Sequence, residues 1–302
     1  MKFLVFADYH YVPEWFKTLG FEGLHALQKR AEDTGCDMII QCGDFCHPKN
    51  TPDFLKEYND FHIPSYSCFG NHDLDTCTLE EGIKAFNMPS DYYFFDMKGY
   101  RFVVLNTDYL FDGEKCIPFS KANYINYPDS RETIPPEELS WLEETLNSSP
   151  YPCILISHAG LERTKGVTNQ DDVLAIIDNA NKNNPGRVLM SINGHHHVDN
   201  IRVRNNVIYF DLNSASMFWH GETSFDYFKR EDYEKHMLVG HTLCYNDPLS
   251  AVITLEGNKV TIEGMESSFY MDVDMKKIGL SEFDPAGRKI TPSILSSKIT
   301  VG

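Results

Sequence analysis

The sequence predicts an α/β fold in which two β-sheets pack face to face, with helices on the outside. In the first third of the chain, apolar runs at 2–7, 37–42 and 65–69 alternate with segments of helical spacing, as in parallel sheets covered on both faces. Later, Asn205-Asn206 and Gly257-Asn258 each separate two short apolar runs, which is typical of hairpins. The later strands are therefore expected to be antiparallel and to pack on the first sheet.

The helices have local signals. Apolar residues at helical spacing end at Gly35, Thr78 with Glu81 three positions later predicts a capping box, and Pro135-Pro136 opens a further helix. Residues 108–134 are rich in Tyr, Asn, Asp and Pro, and we expect a long surface loop over the site. The predicted helices are 20–34, 53–62, 78–86, 135–146 and 170–183, and the other predicted strands are 92–97, 100–106, 153–157, 188–193, 200–204, 207–211, 251–256 and 259–264.

Residues 1–264 are expected to form one domain that carries the site. Residues 265–302 show few periodic signals, and we expect an extension packed on the same domain.

Composition disfavours several classes of function. The chain has 302 residues and a formal net charge of −17, which disfavours nucleic acid and anionic membranes as partners. No run of about 18 apolar residues and no signal peptide are visible, so the sequence favours a cytoplasmic protein. Its eight cysteines are then expected to be reduced thiols.

Five short polar motifs follow predicted strands in a fixed order. The carboxyl ends of parallel strands meet at one edge of a sheet, so these side chains are expected to converge. Oxygen and imidazole ligands without thiolate suit two catalytic manganese, iron or zinc ions, which can activate water for attack on a phosphate ester. The motifs are Asp8-x-His10, Gly43-Asp44, Gly70-Asn71-His72-Asp73, Ser157-His158 and Gly194-His195-His196-His197.

These motifs resemble those of the calcineurin-like metallophosphoesterase superfamily, which are D-x-H, G-D, G-N-H-[DE], H and G-H-x-H. The resemblance covers residues 8–197 and implies a sandwich of two mixed sheets with flanking helices and a dinuclear metal centre. It implies a first metal on Asp8, His10 and His197, a second on Asn71, His158 and His195, and a bridging carboxylate from Asp44.

The same resemblance implies which residue is the general acid and which residue orients it. His72 would be the general acid, and Asp73 would orient it by fixing the ring nitrogen that faces away from the substrate. His196 falls at the variable position of the last motif and is left out of the metal set.

The chain departs from two branches of the superfamily after Gly43-Asp44. Pro48 stands where the Ser/Thr protein phosphatase branch carries its phosphate-binding arginine, and His47 stands where purple acid phosphatases carry a tyrosine. We expect His47 to contact substrate, to be an extra metal ligand or to donate a hydrogen bond to a residue that supports the site; the alternative is a solvated loop histidine.

Three further residues are candidates for substrate contact. Tyr9 lies between two predicted ligands and either reaches substrate or only packs. Trp219 and His220 close the segment 213–220, where Trp219 either stacks on a flat group of the substrate or joins a buried aromatic cluster.

The motif set is similar to the cyclic-nucleotide-type phosphodiesterase branch. We therefore expect a two-metal hydrolase of small-molecule phosphodiesters, with a metal-bridging hydroxide as nucleophile and His72 as the acid. The alternatives are a phosphomonoesterase or protein phosphatase on the same site, a non-catalytic scaffold of the same fold, or a nuclease, which the net charge disfavours. The oligomeric state is left open.

Overall fold

The computed structural model describes residues 1–301 of the chain. These residues contain nineteen strands and six α-helices, joined by loops and short 3₁₀ turns. The helices are α1 Gly20–Asp33, α2 Pro52–Asn59, α3 Leu79–Ala85, α4 Pro136–Ser148, α5 Gln170–Asn183 and α6 Arg230–Lys235. The strands are β1 Lys2–Phe6, β2 Met38–Cys42, β3 Ser65–Cys68, β4 Tyr93–Met97, β5 Tyr100–Val104, β6 Tyr109–Phe111, β7 Cys116–Pro118, β8 Arg131–Thr133, β9 Cys153–Ile156, β10 Val188–Asn193, β11 Asn200–Arg204, β12 Val207–Asp211, β13 Met217–Trp219, β14 Thr242–Cys244, β15 Ala251–Glu256, β16 Lys259–Glu263, β17 Met265–Glu266, β18 Ser293–Ile294 and β19 Ser297–Thr300.

Both main sheets have six strands and mix parallel with antiparallel pairs. The first has the order β19-β16-β15-β1-β2-β3, with β1, β2 and β3 parallel. The second has the order β11-β12-β10-β9-β5-β4, with parallel strands inside and an antiparallel strand at each edge. The predicted α/β sandwich of two mixed sheets is confirmed.

The later strands pair antiparallel with one another, as predicted, but they do not form a separate half that packs on the first sheet. Strand β15 joins the first sheet beside β1, and β12 pairs in parallel with β10 of the second sheet. A turn such as Asn205-Asn206 fixes only the pairing of its own two strands, β11 and β12. Pairing with the rest of a sheet depends on contacts far apart in sequence, which a hairpin signal does not contain.

Aromatic side chains fill the interface between the sheets. Phe3 of β1 and Phe102 of β5 are fully buried, and their rings meet edge to face with centroids 5.3 Å apart. Helix α1 buries Leu24 and Leu27, and α5 buries Ile177, so each sheet also has a covered outer face. Because the central strands are buried on both sides, their sequences are continuous apolar runs without alternation.

The segment 108–134 is not the irregular loop that its composition predicts. It contains the strands β6, β7 and β8, which form a small sheet of their own. Strands of three residues are too short to show a period, so this sheet has no sequence signal. The expected position over the site is correct, since the Tyr124 hydroxyl accepts a hydrogen bond from Asn71 Nδ2 at 3.2 Å.

The C-terminal segment completes the first sheet. Strand β19 pairs with β16 at the edge, and the Val301 N–H donates to the Asn258 carbonyl. Asn213 Nδ2 also donates to the Thr291 and Ser293 carbonyls. The division of the chain at residue 264 stays a prediction.

Two further features of residues 1–301 bear on the sequence predictions. The eight cysteines form no disulfide, as expected for reduced thiols. No helix combines the length and the apolar character that crossing a membrane requires.

The intersheet contact predicts a stability effect. Phe3→Ala removes a fully buried ring at the interface, and we expect it to lower the free energy of unfolding by about 3–5 kcal/mol. Urea denaturation followed by circular dichroism measures this loss. Phe283→Ala is the matched control, because Phe283 is 53% exposed and its loss should change stability by less than about 0.5 kcal/mol. Equal effects of the two changes would contradict the assignment of the core.

Candidate metal centre

All five motifs lie in loops that leave the carboxyl ends of strands. Asp8, Asp44 and Asn71 follow β1, β2 and β3 of the first sheet, while His158 and the 194–197 loop follow β9 and β10 of the second. The loops are also joined to one another, since the Asp8 N–H donates to Gly43 O and the His10 N–H donates to Asp44 O. The site therefore lies at the carboxyl ends of the parallel strands, where the loops of the two sheets meet.

The ligand-bearing loops have an unusual backbone. Positive φ angles of 51–73° occur at five predicted metal ligands, where few residue types other than glycine are found. Aspartate and histidine are among the types that tolerate this region best, so the chemistry of the ligands and the shape of the loops agree. The five are Asp8, His10, Asp44, His195 and His197.

Two motif glycines are required by close approach. A Cβ on Gly43, which has φ +88°, would collide with His158 Nδ1, and a Cβ on Gly194 would lie against Asp8 Oδ2. Glycine at these positions allows the loops of the two sheets to touch.

The first ligand cluster consists of Asp8, His10 and His197. His10 Nε2 lies 3.0 Å from His197 Nε2, and His197 Nε2 lies 3.2 Å from Asp8 Oδ1. All three side chains are buried. Burial lowers the pKa of His10, so its ring is neutral, as a metal ligand must be.

The second cluster consists of Asp44, His158 and His195, with Asn71 beside it. His158 Nε2 lies 3.2 Å from both Asp44 Oδ2 and His195 Nδ1, while its Nδ1 faces the Cys42 carbonyl at 2.9 Å. Asn71 Oδ1 is buried without a hydrogen-bond partner, and a cation would satisfy it.

One oxygen connects the two clusters. Asp44 Oδ2 lies 3.8 Å from His10 Nε2 and 3.2 Å from His158 Nε2, so it faces ligands of both groups. Within residues 1–301, no lysine or arginine forms an ion pair with Asp8 or Asp44. Buried carboxylates and imidazole lone pairs therefore converge without a protein cation, and the donor set fits two metal ions.

His72 lies beside this centre with part of its ring exposed. Its ring centroid is 5.4 Å from that of His10, and its Nδ1 lies 2.7 Å from Asp75 Oδ2. Burial alone would lower the pKa of His72, but the carboxylates of Asp44 and Asp75 outweigh it and raise the pKa to about 9. The ring is therefore protonated at neutral pH and can donate a proton to a leaving oxygen.

Comparisons with known proteins agree with this geometry. A family model described as calcineurin-like phosphoesterase matches residues 1–199 of the chain. The chain belongs to the calcineurin-like phosphoesterase family. The family comprises metal-dependent phosphoester hydrolases with a dinuclear metal centre, for which the two clusters are the candidate groups in this chain.

Individual relatives are more distant. Over 96 residues the chain is 30% identical to the serine/threonine-protein phosphatase CPPED1 of Rattus norvegicus, a match that spans 28% of this chain and 31% of that protein. A dimetal phosphatase from Danio rerio has 13% identity and a TM-score of 0.64, with 100% of this chain and 99% of that chain covered. GAP50, the anchor in the inner membrane complex of Plasmodium, has 14% identity and a TM-score of 0.53, with 100% and 89% covered. At these identities, the two structures show a shared fold.

The partner of His72 differs from the one that the family resemblance implies. Asp73 does not touch the His72 ring, because its carboxylate accepts the backbone N–H groups of Phe45, Cys46 and Gly70 at 2.8–3.0 Å. Asp73 therefore holds two motif loops together, and Asp75 holds the ring. The sequence contained one signal for this contact. Asp75 lies three residues after His72, and side chains at that spacing meet on a helical turn.

Three more residues lie beside the site but belong to none of the five motifs. The Tyr124 hydroxyl donates to Asp75 Oδ1 at 2.7 Å. Asp108 is fully buried with both carboxylate oxygens unpaired, and Glu132 Oε1 lies 3.9 Å from His195 Nε2. All three belong to the segment 108–134, whose fold the sequence did not reveal.

Two of the substrate-contact candidates are buried away from solvent. Tyr9 is fully buried among Phe45 and Phe54, and its hydroxyl donates to the Gly20 carbonyl at 2.6 Å, so it packs and cannot touch substrate. His47 is also buried, with its Nε2 3.5 Å from Asp75 Oδ2. Its ring therefore lies beside Asp75 and is shielded from solvent.

The other two candidates differ from each other. Trp219 is 41% exposed and its ring packs on Phe16, which in turn packs on His10, so the indole lies close to the first cluster. His220 accepts the Glu222 N–H in its own loop and contacts none of the ligands. The structure thus brings Trp219 toward the site and leaves His220 outside it.

The contact between His72 and Asp75 predicts a change in pH dependence. The acid works only when protonated, so activity should fall as the pH rises through the pKa of His72, near 9. Asp75→Asn removes one of the carboxylates that raise this pKa, and we expect the alkaline limb of kcat to move to lower pH. Measurement of kcat between pH 6 and 10 tests this.

Asp73→Asn is the control for that profile. It should lower stability through the loop contacts without moving the limb, and His72→Ala should abolish the limb together with most of the activity. An Asp75→Asn profile that superimposes on that of the unmodified protein would show that Asp75 does not set the pKa of the acid.

Proposed function

We propose that the chain hydrolyses small-molecule phosphodiesters at a dinuclear centre, with His72 as general acid. The observation that carries this proposal is the position of Asp44 Oδ2, which faces both ligand clusters while the protonated His72 ring lies beside them. Bound manganese, iron or zinc would supply Lewis acidity and an ionised water. The first ion would be held by Asp8, His10 and His197, the second by Asn71, His158 and His195, and both by Asp44.

The remaining roles belong to groups around the acid. His72 donates its proton to the leaving alkoxide, whose charge would otherwise build up without compensation. Asp75 fixes the His72 ring. Burial alone would raise the pKa of Asp75, but hydrogen bonds from His72 and Tyr124, with the His47 ring 3.5 Å away, lower it to about 2. Asp75 therefore stays ionised and keeps the imidazolium oriented at every pH at which the enzyme would work.

The preference for a diester comes from the charge around the centre. A phosphodiester has two non-bridging oxygens, and two metals can neutralise their charge. A phosphomonoester has a third non-bridging oxygen, which needs a further cation. Pro48 stands where the protein phosphatase branch has an arginine for such an oxygen, and the ligand carboxylates have no ion pair with a lysine or arginine within residues 1–301.

A phosphomonoesterase is the second candidate. Two observations favour it. The 96-residue match is to a protein named as a serine/threonine phosphatase. In addition, the Arg131 guanidinium lies 5.9 Å from the ring centre of Tyr124, which itself contacts Asn71 and Asp75. Arg131, whose Nε also lies 3.2 Å from Glu132 Oε1, is therefore a cation with which this chain could hold a third phosphate oxygen.

The bridging role of Asp44 predicts a change in metal content. We expect the purified protein, loaded with manganese and desalted, to hold two ions per chain, and Asp44→Asn to hold at most one because both sites lose a charged ligand. Elemental analysis against protein concentration measures this ratio. Asp178→Asn is the control, since Asp178 pairs with Arg204 away from the centre. Retention of two ions by Asp44→Asn would exclude a bridging carboxylate.

The substrate class is tested with two chromogenic esters. We expect manganese-dependent hydrolysis of bis(p-nitrophenyl) phosphate with a higher kcat/KM than p-nitrophenyl phosphate, and loss of both activities with chelator. The opposite preference would replace the diester by the monoester hypothesis. Arg131→Gln then separates the candidates further, since it should lower monoester turnover more than diester turnover only if Arg131 holds the third oxygen.

A further inference from the structure

A cavity of about 680 Å³ opens beside the metal centre. His196, which lies between the ligands His195 and His197, forms part of its wall, and Trp219 forms another part. The His196 ring packs on His195 with centroids 4.9 Å apart. The cavity is large enough for a small organic ligand, and it adjoins the 194–197 loop that carries His195 and His197.

The wall of this cavity is cationic in a strongly acidic chain. Four basic side chains line it against two carboxylates, Glu162 and Asp284, whereas the whole chain has a net charge of −17. The basic residues are Arg163, Lys165, Arg202 and Arg288. Lys165 is exposed and makes no ion pair within residues 1–301.

The three arginines meet on one buried carboxylate. Asp211 Oδ2 lies 3.1 Å from Arg163, 2.6 Å from Arg202 and 3.5 Å from Arg288. A single carboxylate balances one guanidinium, and Arg202 and Arg288 have further partners in Glu162 and Asp284. Arg163 has Asp211 as its one carboxylate partner within residues 1–301, so three carboxylates balance the three arginines.

Two buried polar atoms on the same wall lack partners. Arg163 Nε and His196 Nε2 form no hydrogen bond, although both are shielded from solvent. Arg163 also lies over the loop that follows the ligand His158, because a Cβ on Gly160 would touch its side chain. An unpaired donor in a buried site is costly, and an acceptor bound in the cavity would remove that cost.

Ion pairing within this cluster accounts for the three arginines but not for Lys165. Asp211, Glu162 and Asp284 balance the three guanidinium groups, and Lys165 is the positive charge left over. Lys165 without an ion-pair partner within residues 1–301 remains, together with Arg163 and His196, and all three residues line one cavity. What they share is the ability to donate hydrogen bonds to an oxyanion, His196 as a neutral ring.

We propose that this cavity binds a second anionic group of the substrate, a phosphate or carboxylate, through Arg163, Lys165 and His196, while the scissile phosphoester lies at the metals. The exposed face of Trp219 then packs against the part of the substrate that joins the two groups. This inference rests on the proposed function and narrows the substrate class to small phosphoesters with a second negative group.

Ligand binding tests the cavity without turnover. Isothermal titration calorimetry of the manganese-loaded protein compares thymidine 3′,5′-bisphosphate with thymidine 5′-monophosphate, which differ by one phosphate. We expect the bisphosphate to bind at least about tenfold more tightly. In the double variant Arg163→Gln/Lys165→Ala, the ratio of the two affinities should fall to near one.

Arg204→Gln is the matched control. Arg204 lies on β11 like Arg202 and pairs with Asp178 outside the cavity, so its loss should leave the ratio unchanged. Lys165→Ala alone alters only an exposed side chain, and we expect it to lower the ratio at least about threefold even if the Arg163 change prevents folding. Equal affinities of the two nucleotides in the unmodified protein, or an unchanged ratio in the double variant or in Lys165→Ala, would overturn the proposal.

Activity on thymidine 5′-(p-nitrophenyl phosphate) and its 3′-phosphorylated form separates this proposal from the proposed function. If neither diester is hydrolysed but the bisphosphate preference in binding persists and depends on Arg163 and Lys165, the diester function is wrong and the anion cavity stands. If both are hydrolysed with equal KM and the binding ratio is one, the function stands and the cavity proposal is wrong.

Discussion

The site depends on one carboxylate that two groups of ligands share. Asp44 Oδ2 faces His10 from one cluster and His158 from the other, while Asp44 Oδ1 accepts the His72 backbone N–H at 2.8 Å. One side chain thus fixes the relation between both clusters and the segment that carries the acid. Asp44 Oδ2, unlike Oδ1, faces ring nitrogens of both clusters and pairs with no lysine or arginine within residues 1–301, an arrangement that suits metal ions better than protein hydrogen bonds.

The fold maintains this arrangement by joining loops from two sheets. Asp73 ties the loop after β2 to the loop after β3 through three backbone N–H groups, and the Asp8 carboxylate accepts the His195 N–H at 3.0 Å across the sheets. Five ligands have positive φ angles, and such a backbone persists only where its surroundings determine it. The ligand positions are therefore set mainly by backbone contacts, which leaves the side chains free for the metals.

Sequence reasoning succeeded where local chemistry and one general rule are enough. The seven predicted ligands follow strands, and the carboxyl ends of those strands meet, so their convergence could be predicted. It failed for the partner of His72, because the orientation of that ring depends on a short helical turn rather than on the motif. It also failed for Tyr124 and Glu132, whose segment folds as a sheet of three-residue strands. Trp219 and His220 are adjacent in sequence, yet strand β13 ends between them and only Trp219 faces the cavity.

Charge acts locally in this protein. A net charge of −17 would repel an anionic substrate at a distance, and salt at physiological concentration screens that repulsion beyond about 8 Å. Inside this range, the metals and the basic wall of the cavity determine what is attracted. Carboxylates hold the three arginines of the wall in position before any ligand arrives, whereas Lys165 is exposed and has no ion-pair partner within residues 1–301. A preorganised wall of this kind selects among anions by the distance between their charges, which overall charge cannot do.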